Sequence, residues 1–416
     1  MNIWILNQHA LPEGAAGGTR HAVLAKYLHR RGHSVTIFAS DLRHTGGKAI
    51  SGRTTVDGMQ RESPGKRSVA WRFVEVGGYT SAFTRLLSMR RFRSRAIAAS
   101  EGLPRPDVVI GSCVHPYAVD AGRRLARRHR VPFVYEIRDI WPASLVDVGA
   151  LTRWNPIYWE FRKLELRAFR NAQGVIGVCP GMKGYATQHD LPAGRFLYAP
   201  NGIDPEVYSE PGPPRDSNPF IVSYLGSQGP VNGLMTLVEA ARRLQERSVG
   251  DSLRIRLVGD GTERTRLQRQ AAEWDLRNIE FHDSVAKSEV VTMCQESDAF
   301  VYCHRSMPVV ARYGVSANKI FDYLAAARPV VFSCDSLNDP VRDAEAGLSV
   351  PAGDAGLLAD AMEEISRLPL QERQRLGTNG RAYVLKHHNL ELIAEQCESF
   401  LYEISDIYRC AKRRVA

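Results

Sequence analysis

Several short stretches of the chain combine glycines, cations and carboxylates in patterns suited to a charged, hydroxyl-rich ligand. The densest runs from Tyr313 to Val331, where a polar loop, Ser316–Lys319 with Asn318 inside it, leads into a helix carrying Asp322. A carboxylate in the first turns of a helix is placed to accept two vicinal hydroxyls, as a ribose offers, and Lys319 supplies a point charge for a diphosphate. The plainer alternative makes Ser316 the helix cap and leaves Asp322 on a solvated face. Near the start of the chain, Gly17-Gly18-Thr19-Arg20 precedes another helix. Adjacent glycines let backbone approach a ligand, free helix N–H groups favour phosphate, and Arg20 can grip it bidentately. Ser223–Gly229 and Gly259-Asp260-Gly261 each place a glycine-rich turn after an apolar strand, which nominates Gly226, Ser227 and Gly259. Neither has the Gly-Lys-Ser/Thr of a P-loop or the spacing of a dinucleotide fingerprint. Arg138, Asp139 and Trp141 follow the apolar run Pro132–Glu136, and His115 follows the run before it. Asp139 is placed to orient an acceptor hydroxyl or to pair with Arg138, while a lone His is more often a packing residue.

The elements that must position these loops alternate regularly. Strand-like runs are Ile3–Asn7, His33–Ala39, Asp107–Gly111, Pro132–Glu136 and Gly174–Val178, then Ile221–Leu225, Arg254–Val258, Ala299–Tyr302, Pro329–Phe332 and Leu348–Val350. Helical patterns separate them, so the expectation is an α/β protein of two doubly wound parallel sheets. A break is expected at residues 209–219, where four prolines and several polar residues interrupt any periodicity. The domains expected are thus 1–208, a linker 209–219, and 220–390, with residues 391–416 as a terminal helix. In such sheets ligands sit beyond the C-terminal strand ends, so two sheets facing a central cleft would present all these loops to it.

Composition narrows the class. The chain has 416 residues, 44% hydrophobic and 24% charged, a globular profile long enough for two cored domains. Its net charge of +10 is unevenly spread: residues 1–200 hold 30 Lys/Arg against 14 Asp/Glu, and residues 201–416 hold 25 against 31. Different partners for the two halves are implied. The seven dispersed cysteines read as reduced thiols, with no spacing suited to a structural metal. No apolar run approaches the roughly 20 residues that cross a bilayer, and MNIWIL lacks the features of a signal peptide, so a cytoplasmic location is expected. Residues 86–99 (LLSMRRFRSRAIAA) suit a helix lying on an anionic membrane, and Arg123, Arg124, Arg127, Arg128 and Arg130 form a second basic cluster. An RNA-binding patch is disfavoured by the lack of interleaved aromatics.

Taken together, these loops resemble a retaining glycosyltransferase of the two-Rossmann (GT-B) type, from the large family four. The resemblance covers essentially the whole chain and includes Pro200-Asn201-Gly202-Ile203-Asp204 and Gly226…Gly229…Gly233-Leu234. More narrowly, Tyr313–Tyr323 is similar to a bacterial subgroup that adds N-acetylated amino sugars such as N-acetylfucosamine to O-antigen and capsule repeats. Two glutamates usual in the family fall here on Gly314 and Asp322, and its usual diphosphate-binding Arg and Lys on Ser227 and Asn232. The resemblance implies metal-independent, front-face transfer from a nucleotide-sugar donor, UDP by subgroup, with no cofactor and no dedicated base. The implied acceptor is lipid-linked, bearing a polyprenyl diphosphate, or a saccharide, at an anionic inner membrane surface; no nucleic acid is expected as a partner. Gly17, Gly18, Gly226, Ser227, Gly259, Ser316, Asn318, Lys319 and Asp322 would bind donor, and Arg20, His115 and Trp141 acceptor. Asp139, Arg138 and Lys319 would serve catalysis. A nucleotide-sugar epimerase on the same frame and a non-catalytic sugar-nucleotide or RNA-binding module are the alternatives.

Overall fold

Runs of Val, Ile and Phe buried on both faces are what a parallel sheet covered by helices on each side requires. The computed structural model describes residues 1–13, 19–42, 69–208, 210–212, 215–247, 251–285 and 287–413. The chain divides into two units, Met1–Pro200 with Leu390–Ala416, and Asn201–Asn389.

Unit 1 contains strands β1 (Asn2–Leu6), β2 (Ser34–Ser40), β3 (Val69–Val74), β4 (Val108–Cys113), β5 (Phe133–Ile137), β6 (Gly174–Gly177) and β7 (Phe196–Tyr198). They form one parallel sheet in the order β3-β2-β1-β4-β5-β6-β7. Helices α1 (Arg20–Arg30), α2 (Ala82–Ala98), α3 (Pro116–His129), α4 (Ala143–Asp147), α5 (Pro156–Asn171) and α6 (Met182–Thr187) connect them. Unit 2 carries β8 (Phe220–Leu225), β9 (Leu253–Val258), β10 (Ile279–His282), β11 (Ala299–Cys303), β12 (Val330–Ser333) and β13 (Gly347–Val350). These too are parallel, in the order β10-β9-β8-β11-β12-β13. Its helices are α7 (Met235–Glu246), α8 (Arg264–Glu273), α9 (Lys287–Gln295), α10 (Pro308–Tyr313), α11 (Asn318–Ala325), α12 (Pro340–Asp343), α13 (Ala355–Arg367) and α14 (Leu370–His387). Both units are thus doubly wound α/β sheets of the Rossmann kind.

The units part at Pro200/Asn201, ahead of the proline-rich stretch expected to separate them. Residues 201–208 belong to unit 2 for a stated reason. Asn201 donates its backbone N–H to Ser316 Oγ, Ile203 N–H bonds His388 O, and Tyr208 OH bonds Asp322. The terminal helix α15 (Leu390–Arg413) packs on α1, with Ile393, Phe400, Leu401 and Ile404 buried in the unit 1 core beside Ile3 and Ile5.

The apolar residues of 86–99 that were expected to anchor α2 in a membrane are turned to the core instead. Leu86, Met89, Phe92 and Ala96 are buried in unit 1, so its apolar stripe is spent on the core. Its arginines are held locally: Arg90 by Glu160, Arg93 by Asp120, Arg95 by Glu75. Among the described residues no helix is long and apolar enough to cross a membrane.

Candidate active site

In unit 2 the site is assembled by α11. Tyr323, on its inner face, accepts a hydrogen bond from Leu225 N–H at 2.7 Å and donates to Leu225 O at 3.0 Å, locking the helix to the end of β8. Lys319 lies one turn earlier on the same face. Its ammonium donates to Tyr224 OH at 2.6 Å and to Asn232 Oδ1 at 2.8 Å. Tyr224 OH donates to Ser227 O, which also accepts Asn232 Nδ2, closing a ring of four groups. The Lys319 Nζ also stands 4.5 Å from the centre of the Tyr224 ring and 5.8 Å from that of Tyr302. No member of this set is a carboxylate. Burial without an anionic partner therefore lowers the lysine pKa to about 7.

Glycine makes the arrangement possible at two places. Gly226 has φ of 153°, which side chains rarely adopt, and a Cβ there would lie 3.0 Å from Lys319 Cε, close enough to crowd the lysine in its seat. At Gly259 (φ 138°) a Cβ would fall 2.0 Å from Gly226 O. Gly259 thus lets the two glycine turns pack backbone to backbone, a packing role where donor contact was expected. The exposed Ser227 contributes its carbonyl to the ring.

Ser316 does not cap α11; the cap position is Ala317, without a side-chain bond. Instead its hydroxyl accepts Asn201 N–H and its carbonyl accepts Asn201 Nδ2. The Pro-Asn-Gly-Ile-Asp segment thereby holds the loop that presents Asn318 and Lys319. Asn318 is the first residue of α11 and is half-buried. Asp322 Oδ1 accepts Tyr208 OH at 2.7 Å, a contact with no foreshadowing in the spacing. His304, also unforeseen, follows β11 with its Nδ1 donating to Arg305 O; burial first, and then Lys319, lower its pKa.

Unit 1 uses its charged groups differently. Arg20 is 2% exposed: its Nε bonds Glu136 Oε1, and its terminal nitrogens bond Ala199 O and Pro200 O. Glu136 Oε2 meets His21 Nε2 at 2.7 Å, and His21 Nδ1 meets Asn7 Nδ2 at 2.9 Å. Burial lowers the His21 pKa, consistent with a neutral ring donating through Nε2. Burial alone would raise Glu136, but the His21 bond and Arg20 hold its carboxyl well below the usual range. This closed network corrects the expectation for Arg20, whose guanidinium is consumed by the fold. His115 is corrected likewise: fully buried, it caps α3 by accepting Ala118 N–H and bonds Gln8 Oε1 at 2.7 Å. Trp141 is 8% exposed and packs on Phe161 at 5.6 Å between ring centres.

Two of the expected groups remain at the strand edge. Arg138 Nε is buried with no hydrogen-bond partner among the described residues. Burial lowers the pKa of this guanidinium, with Glu136 opposing. Asp139 is exposed; the surrounding protein raises its carboxyl pKa while Arg138 pulls it down. Gly17 and Gly18 lie outside the described residues. Among the described residues no group of three or more His, Cys, Asp or Glu is arranged to hold a metal ion.

Comparison with known proteins places the whole chain. Residues 16–202 match the model for a glycosyl transferase 4-like domain, and residues 219–367 match that for glycosyl transferases group 1. WcaI of Escherichia coli (strain K12), provisionally named a colanic acid biosynthesis glycosyl transferase, is 21% identical over 309 residues, 70% of each chain. Among solved structures, sucrose-phosphate synthase from Thermosynechococcus elongatus superposes with a TM-score of 0.75 at 19% identity, covering 97% of this chain and 98% of that one. Anabaena HepE in complex with UDP-glucose gives 0.67 at 16% identity, covering 97% and 100%. With a glycosyltransferase model on each half and the same two-sheet frame in these neighbours, the chain is a glycosyltransferase of the GT-B class.

Proposed function

We propose that the enzyme transfers a sugar, with retention of anomeric configuration, from a UDP-linked donor held by unit 2 to an acceptor presented by unit 1. The sugar is an N-acetylated amino sugar, the acceptor is lipid-linked or a saccharide, and the product enters a cell-surface polysaccharide. Lys319 carries the reading: a lysine seated on a glycine turn among neutral partners is available to the diphosphate that must depart. Charge develops on that diphosphate in the transition state, where a pre-positioned cation and helix-terminal amides stabilise it most. Asp322 faces the ribose, and Gly226, Ser227 and Asn318 line the donor seat. Arg138 faces the acceptor with its unpartnered Nε, which suits a phosphorylated one, and Asp139 positions the attacking hydroxyl. The colanic acid assignment of WcaI supports the pathway class, and the UDP-glucose complex of HepE supports the nucleotide.

A thermal-shift screen of UDP-, GDP- and dTDP-sugars, followed by transfer assays with the stabilising donor, tests this. UDP-sugars should raise the Tm of wild type. Arg138→Ala should raise KM for the acceptor and leave the UDP shift intact, and the product should keep the donor's anomeric configuration by NMR. Undiminished turnover by Lys319→Ala and Asp322→Ala enzymes would overturn the reading.

A further inference from the structure

Helices α2, α3 and α5 lie side by side in unit 1. They are tied where Arg90 donates to Tyr117 OH at 2.8 Å and to Glu160 at 2.7 Å, while Tyr117 OH donates to Glu160. Their inward stripes, including Phe92, Leu125 and Phe161, are buried. Their outward side carries the three most exposed large hydrophobic residues among those described: Phe83 at 67%, Trp154 at 91% and Trp159 at 62%. Phe83 opens α2, and Trp154 and Trp159 flank the start of α5. Each helix follows a strand of one parallel sheet, so both starts lie at the edge where the strands end, the edge that bears Arg138 and Asp139.

Cations cover the rest of this side. Arg124, Arg127 and Arg128 of α3 and Lys163, Arg167 and Arg170 of α5 are exposed, and Arg123, Arg124, Arg127, Arg128 and Arg130 line a concavity. Asp120 is buried beneath and already shared by Arg123 and Arg124. Phe83 lies between Ala82 and Thr84, Trp154 follows Arg153, and Trp159 packs edge-on against Tyr158 at 5.3 Å and precedes Glu160. The aromatics are thus interspersed with polar and charged residues, unlike the continuous apolar core of a protein interface. Tryptophan beside Arg and Lys is instead the composition of a membrane–water boundary.

We propose that this outer side of α2, α3 and α5 docks on an anionic bilayer. Phe83, Trp154 and Trp159 enter the headgroup region and the arginines and lysines lie against the lipid phosphates. Aromatic insertion and electrostatic attraction give the two signals that reversible anchoring needs, each cation adding on the order of 1 kcal/mol. The inference rests on the lipid-linked acceptor proposed above and names the surface that brings the Arg138 edge to it.

The experiment is flotation of full-length protein with phosphatidylglycerol-containing vesicles, paired with quenching of tryptophan emission by dibrominated phosphatidylcholine mixed into them. Wild type should float and be quenched. Trp154→Ala/Trp159→Ala should lose about tenfold or more in partitioning, together with the quenching, because Trp4 and Trp141 are buried, Trp71 packs on the core beneath α1 and α15, and Trp274 packs on the core of unit 2. Arg124→Glu/Arg127→Glu/Arg128→Glu should weaken binding and flatten its salt dependence, leaving what Lys163, Arg167 and Arg170 supply. Each variant should keep the wild-type UDP thermal shift, which separates failure here from failure of the donor site. Vesicle binding unchanged by the tryptophan pair, or unquenched wild-type emission, overturns the proposal. So does a concentration-dependent dimer, seen by sedimentation, that the pair removes without affecting vesicles.

Discussion

Arg20 and Lys319 each stand in the first turn of a helix, α1 and α11, in a doubly wound unit, yet their surroundings are opposite. Arg20 meets a carboxylate and two carbonyls and is sealed under the loop. Lys319 meets a phenol, an amide and two ring faces. Position in the fold is shared, but only the second cation is left with charge to offer a ligand. A buried ion pair completes a structure, whereas a buried cation without an anion waits for one and depresses its own pKa meanwhile.

That contrast is open to attack at both ends. The largest effect belongs to Glu136→Ala, which strands Arg20 and should cost about 3–5 kcal/mol of stability, measured by urea unfolding of the full chain. Glu136 also sets an acid limb. Its native pKa lies well below the ordinary 4.5, so its contribution is complete above that value and fades as pH falls through the native pKa. Next comes Lys319→Met, which should lower transfer by roughly 10²–10³-fold in initial-rate assays while raising the ligand-free Tm, since it removes an unpaired buried cation. The same lysine predicts two slopes of opposite consequence between its native pKa of about 7 and the ordinary 10.5. The unfolded chain binds the extra proton there, so ligand-free stability should rise with pH. Donor binding must restore that proton, so UDP affinity, followed by calorimetry, should fall by up to about tenfold per pH unit. The smallest effect is expected for Tyr208→Phe. Removing the hydroxyl from Asp322 should change donor KM by only about 3- to 10-fold, and an unchanged KM would show that Asp322 needs no orienting partner.

The fold was largely legible because its central strands are continuous apolar runs bounded by turn residues. The three strands that escaped, β3, β7 and β10, are all at sheet edges, where one neighbour is missing and burial is partial, so their residues are mixed. The site was legible in part. Lys319 and Gly226 stood out by type and place, but the closure of the ring through Tyr224 and Asn232 depends on side-chain direction that spacing does not carry. The errors over Arg20 and His115 have one cause. Their partners, Glu136 and Gln8, lie 116 and 107 residues away in the chain, so local pattern could not show that these polar groups were already satisfied.

The seat of the terminal helix has a consequence for how the molecule comes into being. Phe400 and Ile404 fill the space over Gly174, and with Ile393 and Leu401 they complete the core around β1. During translation, residues 1–200 emerge with that seat vacant and keep it so while all of Asn201–Asn389 is made. Domains generally fold N-terminal first during synthesis, but here the first unit cannot complete its core until Leu390–Arg413 has been made. Until that helix is made, the apolar seat it covers on unit 1 has no partner within the chain.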